Sequence, residues 1–158
     1  MVPGSAAFAG QYGDGLITIG GNELDLYRQI LEQFEQGARD AGQDPARMPR
    51  LVELGAAYTA DTDTAIAERK KYWAGSMVPA AYNQKLYTPA MVEQNGQLVG
   101  ADTIQKAACI SPRAEDHVRF AQQYIDLGFD HIIVHTAGPD QRAFIQGYGR
   151  DVLPRLRP

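Results

Sequence analysis

The chain has 158 residues, 44% hydrophobic and 22% charged, an ordinary globular mix that fits one domain. Its net charge of -4 leaves no basic footprint for nucleic acid, and its single cysteine, Cys109, excludes an internal disulfide or a cysteine-rich metal site. No apolar run approaches the roughly 18 residues of a membrane span, and the N-terminus lacks the basic-then-apolar pattern of a signal peptide. The expectation is a cytoplasmic chain with no membrane or nucleic-acid partner.

The stretch from Gly4 to Tyr12 reads as a helix with no strand before it. Gly15-Leu-Ile-Thr-Ile19, closed by Gly20 and Gly21, reads as a short buried strand. Asn22 is placed to cap the next helix, with Glu23 and Asp25 in its first turn, where carboxylates favour the positive end of the dipole. Leu24, Tyr27, Leu31, Phe34, Ala38 and Ala41 recur every three or four residues, the stripe of a core-facing helix. Gly42 ends it.

Leu51 to Tyr58 is the second strand, and Asp61 or Asp63 caps a helix running to about Trp73. The pattern then loses its period from 75 to 103, where Pro79, Pro89, Gly96 and Gly100 predict short helices and loops. A helix around Asp102 to Lys106 leads into Ala107–Ile110, a candidate extended segment. Ser111 caps the following helix and Pro112 takes its first position. Val118, Ala121, Tyr124 and Ile125 form its stripe, and Gly128 closes it. His131 to Thr136 is the third strand, and Asp140 to about Leu156 the last helix. Strands alternating with amphipathic helices predict parallel pairing and right-handed crossovers. Three strands are too few to close a barrel.

Three segments carry a family resemblance: Ala9-Gly-Gln-Tyr-Gly-Asp-Gly-Leu-Ile17, Phe129-Asp-His-Ile-Ile-Val-His-Thr-Ala-Gly-Pro-Asp-Gln-Arg142, and the ending Asp151-Val-Leu-Pro-Arg-Leu-Arg157. In order and register they resemble the F420-dependent glucose-6-phosphate dehydrogenase branch of the luciferase-like superfamily, over nearly the whole chain. The resemblance implies an α/β fold: a partial (β/α)8 TIM barrel comprising the C-terminal three strands, their helices and a helical insert. Residues 1–158 are then the C-terminal part of one such domain. Family chains are about twice as long, and their acid His, base Glu and deazaflavin-holding Trp and Asp lie in the N-terminal half. No residue here corresponds to those, so no catalytic residue is assigned, and a truncated reading frame or an internal start is the expectation.

The resemblance further implies coenzyme F420, with FMN as the alternative, and an alcohol-type small-molecule substrate. The family's site lies at the C-terminal rim of the strands. Here that rim comprises Thr18 to Asn22, Tyr58 to Asp61 and Thr136 to Asp140. The family's cofactor-phosphate turn falls on Met1, Val2, Pro3, Gly4 and Ser5, with Met1 and Val2 replacing its two glycines. Its sugar-phosphate cations and Thr fall on Ile19, Asn22, Lys85 and Ala107, of which Lys85 alone keeps the charge. A dianionic phosphate needs such cations, so a less charged alcohol is expected in place of glucose 6-phosphate.

Other residues read more plainly. Asn22 is first a helix cap, Lys85 a solvated amine and Ser5 a helix start. His131 and His135 share a strand face, but with no third ligand no metal is expected. His135 near the rim reads as packing, His117 as a surface helix residue, and Tyr72 and Trp73 as core. Cys109 has no activating partner. The primary expectation is an F420-dependent oxidoreductase whose C-terminal part is inactive alone. The alternatives are a non-catalytic half-barrel acting through self-association (a homo-oligomer) or a complementary N-terminal half, and an FMN-dependent monooxygenase of the same superfamily.

Overall fold

The computed structural model describes residues 3–21, 23–77 and 88–157. Met1, Val2, Asn22 and Lys85 therefore lie outside the described residues. The chain is an α/β fold with parallel strands, and it divides into two compact units. One comprises residues 1–54, 119–134 and 156–158, the other residues 55–118 and 135–155.

In the first unit, strand β1 (Leu16–Ile19) pairs in parallel with the first residues of β2 (Arg50–Tyr58), Leu16 opposite Arg50 and Ile19 opposite Glu53. Strand β4 (His131–His135) also pairs with β2. The Arg50 amide donates to the Asp130 carboxylate at 2.8 Å, and the Asp130 amide donates back to the Arg50 carbonyl at 2.9 Å. Helix α2 (Leu24–Asp40) buries Tyr27, Ile30, Leu31, Phe34 and Ala38, so the predicted stripe holds, with Ile30 added and Ala41 lost to solvent. Glu23 stands at its cap position without a side-chain cap bond. Gly42 ends the helix in the left-handed region, φ +74.

Helix α1 (Pro3–Tyr12) packs on α2 backbone to backbone. A Cβ on Gly10 would overlap the Phe34 carbonyl, and one on Gly37 the Ala7 carbonyl. The second part of α6 (Ala114–Leu127) adds Phe120, Ala121 and Tyr124 to this core. Tyr124 meets Tyr27, Phe120 and Phe129 at ring separations of 5.3–5.9 Å, mostly edge-on.

The expectation that β1 is buried holds for one face only. Leu16 and Thr18 are buried, whereas Ile17 and Ile19 are 57% and 61% exposed. Alternate side chains leave a strand on opposite faces, and on this one apolar side chains remain open to solvent. Ile133 on β4 is exposed as well.

In the second unit, the end of β2 pairs in parallel with β3 (Cys109–Ser111), Ala56 opposite Cys109 and Tyr58 opposite Ser111. The segment read as merely extended is thus a fourth strand. Asp61, not Asp63, caps α3 (Thr62–Tyr72): its carboxylate accepts from the Thr64 amide at 2.9 Å. The aperiodic stretch holds a 3-10 turn at Ala74–Met77, α4 (Pro89–Gly96) capped by Thr88, and α5 (Ala101–Ala107). Ala74, Val99 and Ile104 form their core, with Ile66, Met77 and Ile110 packed around it. Asp140 caps α7 (Gln141–Asp151), which ends at Asp151 rather than Leu156, with a 3-10 turn at Leu153–Arg155 beyond. Helix α6 starts at Ala114, two residues later than read. Ser111 ends β3, and its hydroxyl accepts from the Arg113 amide at 3.1 Å while donating to Asp116 at 2.7 Å.

Three side chains are placed differently from the sequence reading. His117 is fully buried, because at 117, 121 and 124 it continues the apolar stripe of α6. Tyr72 and Trp73 are 55% and 37% exposed, since α3 ends there and the chain turns away. Arg69 is buried instead, its guanidinium lying over the bare backbone of Gly55 on β2.

Candidate functional site

The second unit brings together two of the three rim segments expected from sequence. The end of β2 with its following turn, Tyr58 to Asp61, and the turn after β4, Thr136 to Asp140, line one cleft of about 500 Å³. Helices α3 and α7 supply the remaining walls, with Glu68, Phe144, Gly147 and Arg150. The cleft thus lies at the C-terminal ends of parallel strands, where side chains and helix N-termini converge on a ligand.

Its electrostatics are acidic. Asp61, Glu68 and Asp140 line it, and the Arg150 guanidinium is already engaged by Asp151 through two bonds of 2.8 and 2.7 Å. That guanidinium holds the Asp151 carboxyl below its ordinary range. The Tyr58 hydroxyl donates to Asp151 at 3.1 Å. Loss of water, then the Asp151 carboxylate, pushes that hydroxyl up. The Thr64 amide holds the Asp61 carboxyl low, as expected of a helix cap. With both helix N-termini already occupied by aspartates, the cleft is poorly suited to an anion.

Beside it Tyr72, Trp73, Thr136, Ala137 and Pro139 line a more apolar crevice of about 450 Å³. The Trp73 ring lies 4.3 Å from that of His135, tilted by 34°. His135 therefore packs, as read. Among the described residues no group of three His, Cys, Asp or Glu side chains could hold a metal.

The third rim segment belongs to the first unit. The Tyr27 hydroxyl donates to the Ile19 carbonyl at 2.9 Å, and the Tyr124 hydroxyl accepts from the Gly21 amide at 2.8 Å while donating to the Gly21 carbonyl. A Cβ on Gly20 would meet the Leu54 side-chain end and the Tyr124 hydroxyl, so a larger residue here would have to displace both. Ile19 stands exposed at its start. Gly4 and Ser5 lie exposed in the first turn of α1, which carries no acidic residue. Ala107 ends α5 half-buried and does not line the cleft.

Sequence reasoning missed Glu68, Phe144, Gly147 and Arg150, because no local pattern says which helix will face a strand end. It also missed the polar cluster behind Tyr58, in which His117, Ser111 and Tyr148 meet. The helical spacing of His117 with Ala121 and Tyr124 was the signal available for it.

Parallel strands, each followed by a helix and with a cleft at their C-terminal ends, have the layout of the wall of a (β/α)8 barrel. The luciferase-like monooxygenase family model matches residues 1–131, and the chain belongs to that family. It is 30% identical to an F420-dependent glucose-6-phosphate dehydrogenase of Microbacterium testaceum, over 98% of this chain and 46% of that protein. It is 29% identical to the enzyme of the same description from Mycolicibacterium gilvum, with the same coverage. Among solved structures, an F420-dependent secondary alcohol dehydrogenase in complex with an F420-acetone adduct superposes over the whole chain and 47% of its own, with a TM-score of 0.85 at 29% identity. The coenzyme F420 dependent tetrahydromethanopterin reductase of Methanopyrus kandleri shares the fold, with a TM-score of 0.69 at 17% identity. The chain spans about half the length of the relatives it matches.

Proposed function

We propose that this chain is the C-terminal part of an F420-dependent oxidoreductase that moves a hydride between an alcohol-type substrate and the deazaflavin. The observation that carries this reading is the superposition on the secondary alcohol dehydrogenase at a TM-score of 0.85 over the entire chain. The cofactor would supply the hydride chemistry, and the protein its binding and orientation. Residues of this chain fit one end of such a cofactor. Gly4 and Ser5 lie exposed in the first turn of a ten-residue helix, and that turn is free of carboxylates, an environment that favours a phosphate. By the family's register Met1 and Val2 belong to the same turn. The carboxylate-lined cleft of the second unit does not fit a polyanion and is assigned no part of the cofactor.

The substrate we assign is a neutral alcohol rather than a sugar phosphate. Of the four positions where the resemblance places sugar-phosphate contacts, Ile19, Asn22, Lys85 and Ala107, two are apolar and one is a neutral amide. The crevice at Trp73 and Pro139 adds apolar surface suited to a carbon skeleton. No residue of this chain is assigned as the acid or base, so the chain by itself should not turn over.

The test has three arms: the chain alone, the chain joined to the N-terminal half of a similar dehydrogenase, and both titrated with F420 and with FMN. The joined protein should reduce F420 with 2-propanol and not with glucose 6-phosphate, and the chain alone should reduce none. Turnover by the chain alone, or a preference of the joined protein for FMN, sinks the reading. A second reading, association through an open sheet face into a homo-oligomer or with a complementary half, is favoured by the exposure of Ile17, Ile19 and Ile133. Light scattering showing a stable monomer would dispose of it.

A further inference from the structure

Behind the Tyr58 wall of the cleft, the second unit encloses a histidine that neither the cofactor nor the substrate assignment uses. His117 lies in the first turns of α6 with no solvent exposure. Its Nε2 is 3.0 Å from the Ser111 carbonyl oxygen at the end of β3. A carbonyl can only accept, so Nε2 carries the proton and Nδ1 the lone pair. That Nδ1 is buried and has no hydrogen-bond partner among the described residues. The ring stands edge-on between Tyr58 of β2, at 5.2 Å and 71°, and Tyr148 of α7, at 5.4 Å and 83°. Tyr148 is itself buried, and its hydroxyl has no hydrogen-bond partner among the described residues.

We propose that His117 is an acid-sensitive latch: neutral, it closes the seam between β2, α6 and α7, and a proton taken up at Nδ1 loosens α7 and reshapes the cleft.

A second proton on this ring must go to Nδ1, and there the imidazolium N–H meets no acceptor among the described residues. A buried charge without a partner is costly enough that the structure moves or hydrates instead. The groups around the ring do not offset this. From β2 the Tyr58 hydroxyl is committed to Asp151, whose carboxylate is held by Arg150. From β3 the Ser111 carbonyl already accepts from Nε2, and Cys109 lies toward Tyr148. From α6 itself Asp116 favours the charged ring, but its carboxylate accepts from the Ser111 hydroxyl. From α7 Tyr148 presents a neutral ring. Burial outweighs the Ser111 bond and the Asp116 charge and holds the imidazole below its ordinary value of 6.5.

The way to hydrate Nδ1 is to part Tyr148, and with it α7, from α6. Helix α7 also carries Phe144, Gly147 and Arg150 of the cleft, and the Gly147 backbone lies against the Tyr58 ring. Opening the seam therefore moves one cleft wall. The latch stands on the local packing of the second unit and holds whether or not the oxidoreductase reading does.

The test is an NMR titration of the full chain from about pH 8 to about pH 4. His117 is expected to remain neutral below its ordinary value of 6.5 and to charge in a later step. In that step the Tyr58, Gly147 and Tyr148 signals should shift together, and the protection of α7 amides, taken relative to their intrinsic exchange rate at each pH, should fall about tenfold while that of α2 is unchanged. His117→Gln can keep a side-chain N–H for the Ser111 carbonyl, and it should abolish the step. Charging of His117 at its ordinary value, charging without movement in α7, or loss of all native signals in one step each overturns the proposal. The wild-type titration decides even if the variant does not fold.

Discussion

Removing one oxygen atom from either of two buried tyrosines should move stability in opposite directions. The Tyr124 ring is fully buried, and its hydroxyl closes two bonds with Gly21, from the amide at 2.8 Å and to the carbonyl. Tyr124→Phe keeps the ring packed against Tyr27, Phe120 and Phe129 and removes the hydroxyl that makes those bonds. Each is worth roughly 1 kcal/mol net, and a Gly21 group left without a partner adds to the loss, so about 2 kcal/mol should disappear. The Tyr148 hydroxyl is as deeply buried and has no partner among the described residues, so it is a desolvation cost without return. Tyr148→Phe should therefore be neutral or stabilise by up to about 1 kcal/mol. Urea unfolding followed by circular dichroism reads both, and for Tyr124→Phe the midpoint should fall by about 1 M. Equal losses from the two variants would mean that hydrogen-bond state does not separate them, and the reasoning would fail.

Helix glycines offer a similar contrast. Gly37→Ala places a methyl into the Ala7 backbone, and overpacking of about 1–3 kcal/mol should exceed the gain in helix propensity of roughly 1 kcal/mol. Gly149→Ala, on α7 with open space around it, should raise the melting temperature through the propensity gain alone. The Asp61 carboxyl is held low by the Thr64 amide, so its contribution to α3 is complete above the unfolded carboxylate value and is lost as pH falls through the folded one. Asp61→Ala should lower the protection of the Thr64 amide about tenfold at neutral pH and leave that protection unchanged as pH falls through the carboxylate range. For His117, whose folded value is depressed, stability is complete above 6.5 and declines as pH falls from there toward the folded value. Acid unfolding curves of the wild type and His117→Gln should therefore diverge as pH falls below 6.5, and coincident curves would count against a neutral buried imidazole.

What was legible in the sequence is what acts over a few residues. The period of Tyr27, Leu31, Phe34 and Ala38 made α2 readable, and Gly42 and Gly128 marked helix ends because both take positive φ, +74 and +104. Asp61 and Asp140 could be placed near caps because an aspartate cap reaches an amide only two or three residues ahead. The rim positions Tyr58 to Asp61 and Thr136 to Asp140 followed from strand ends, which are local features too. Only the tertiary structure decided which of these met and which faces closed. Ile17 and Ile19 look as apolar as Leu16 in sequence, yet they are exposed because, among the described residues, nothing covers their side of the strand. Trp73 is open where α3 stops, and the ionisable Arg69 is buried because Gly55, fourteen positions earlier, leaves room for it. His117 reads as polar by type, and its burial depends on Tyr58 and Tyr148, 59 and 31 residues away, closing over it. Burial is a property of what arrives on the other side of a residue, and periodicity along the chain carries no record of that arrival.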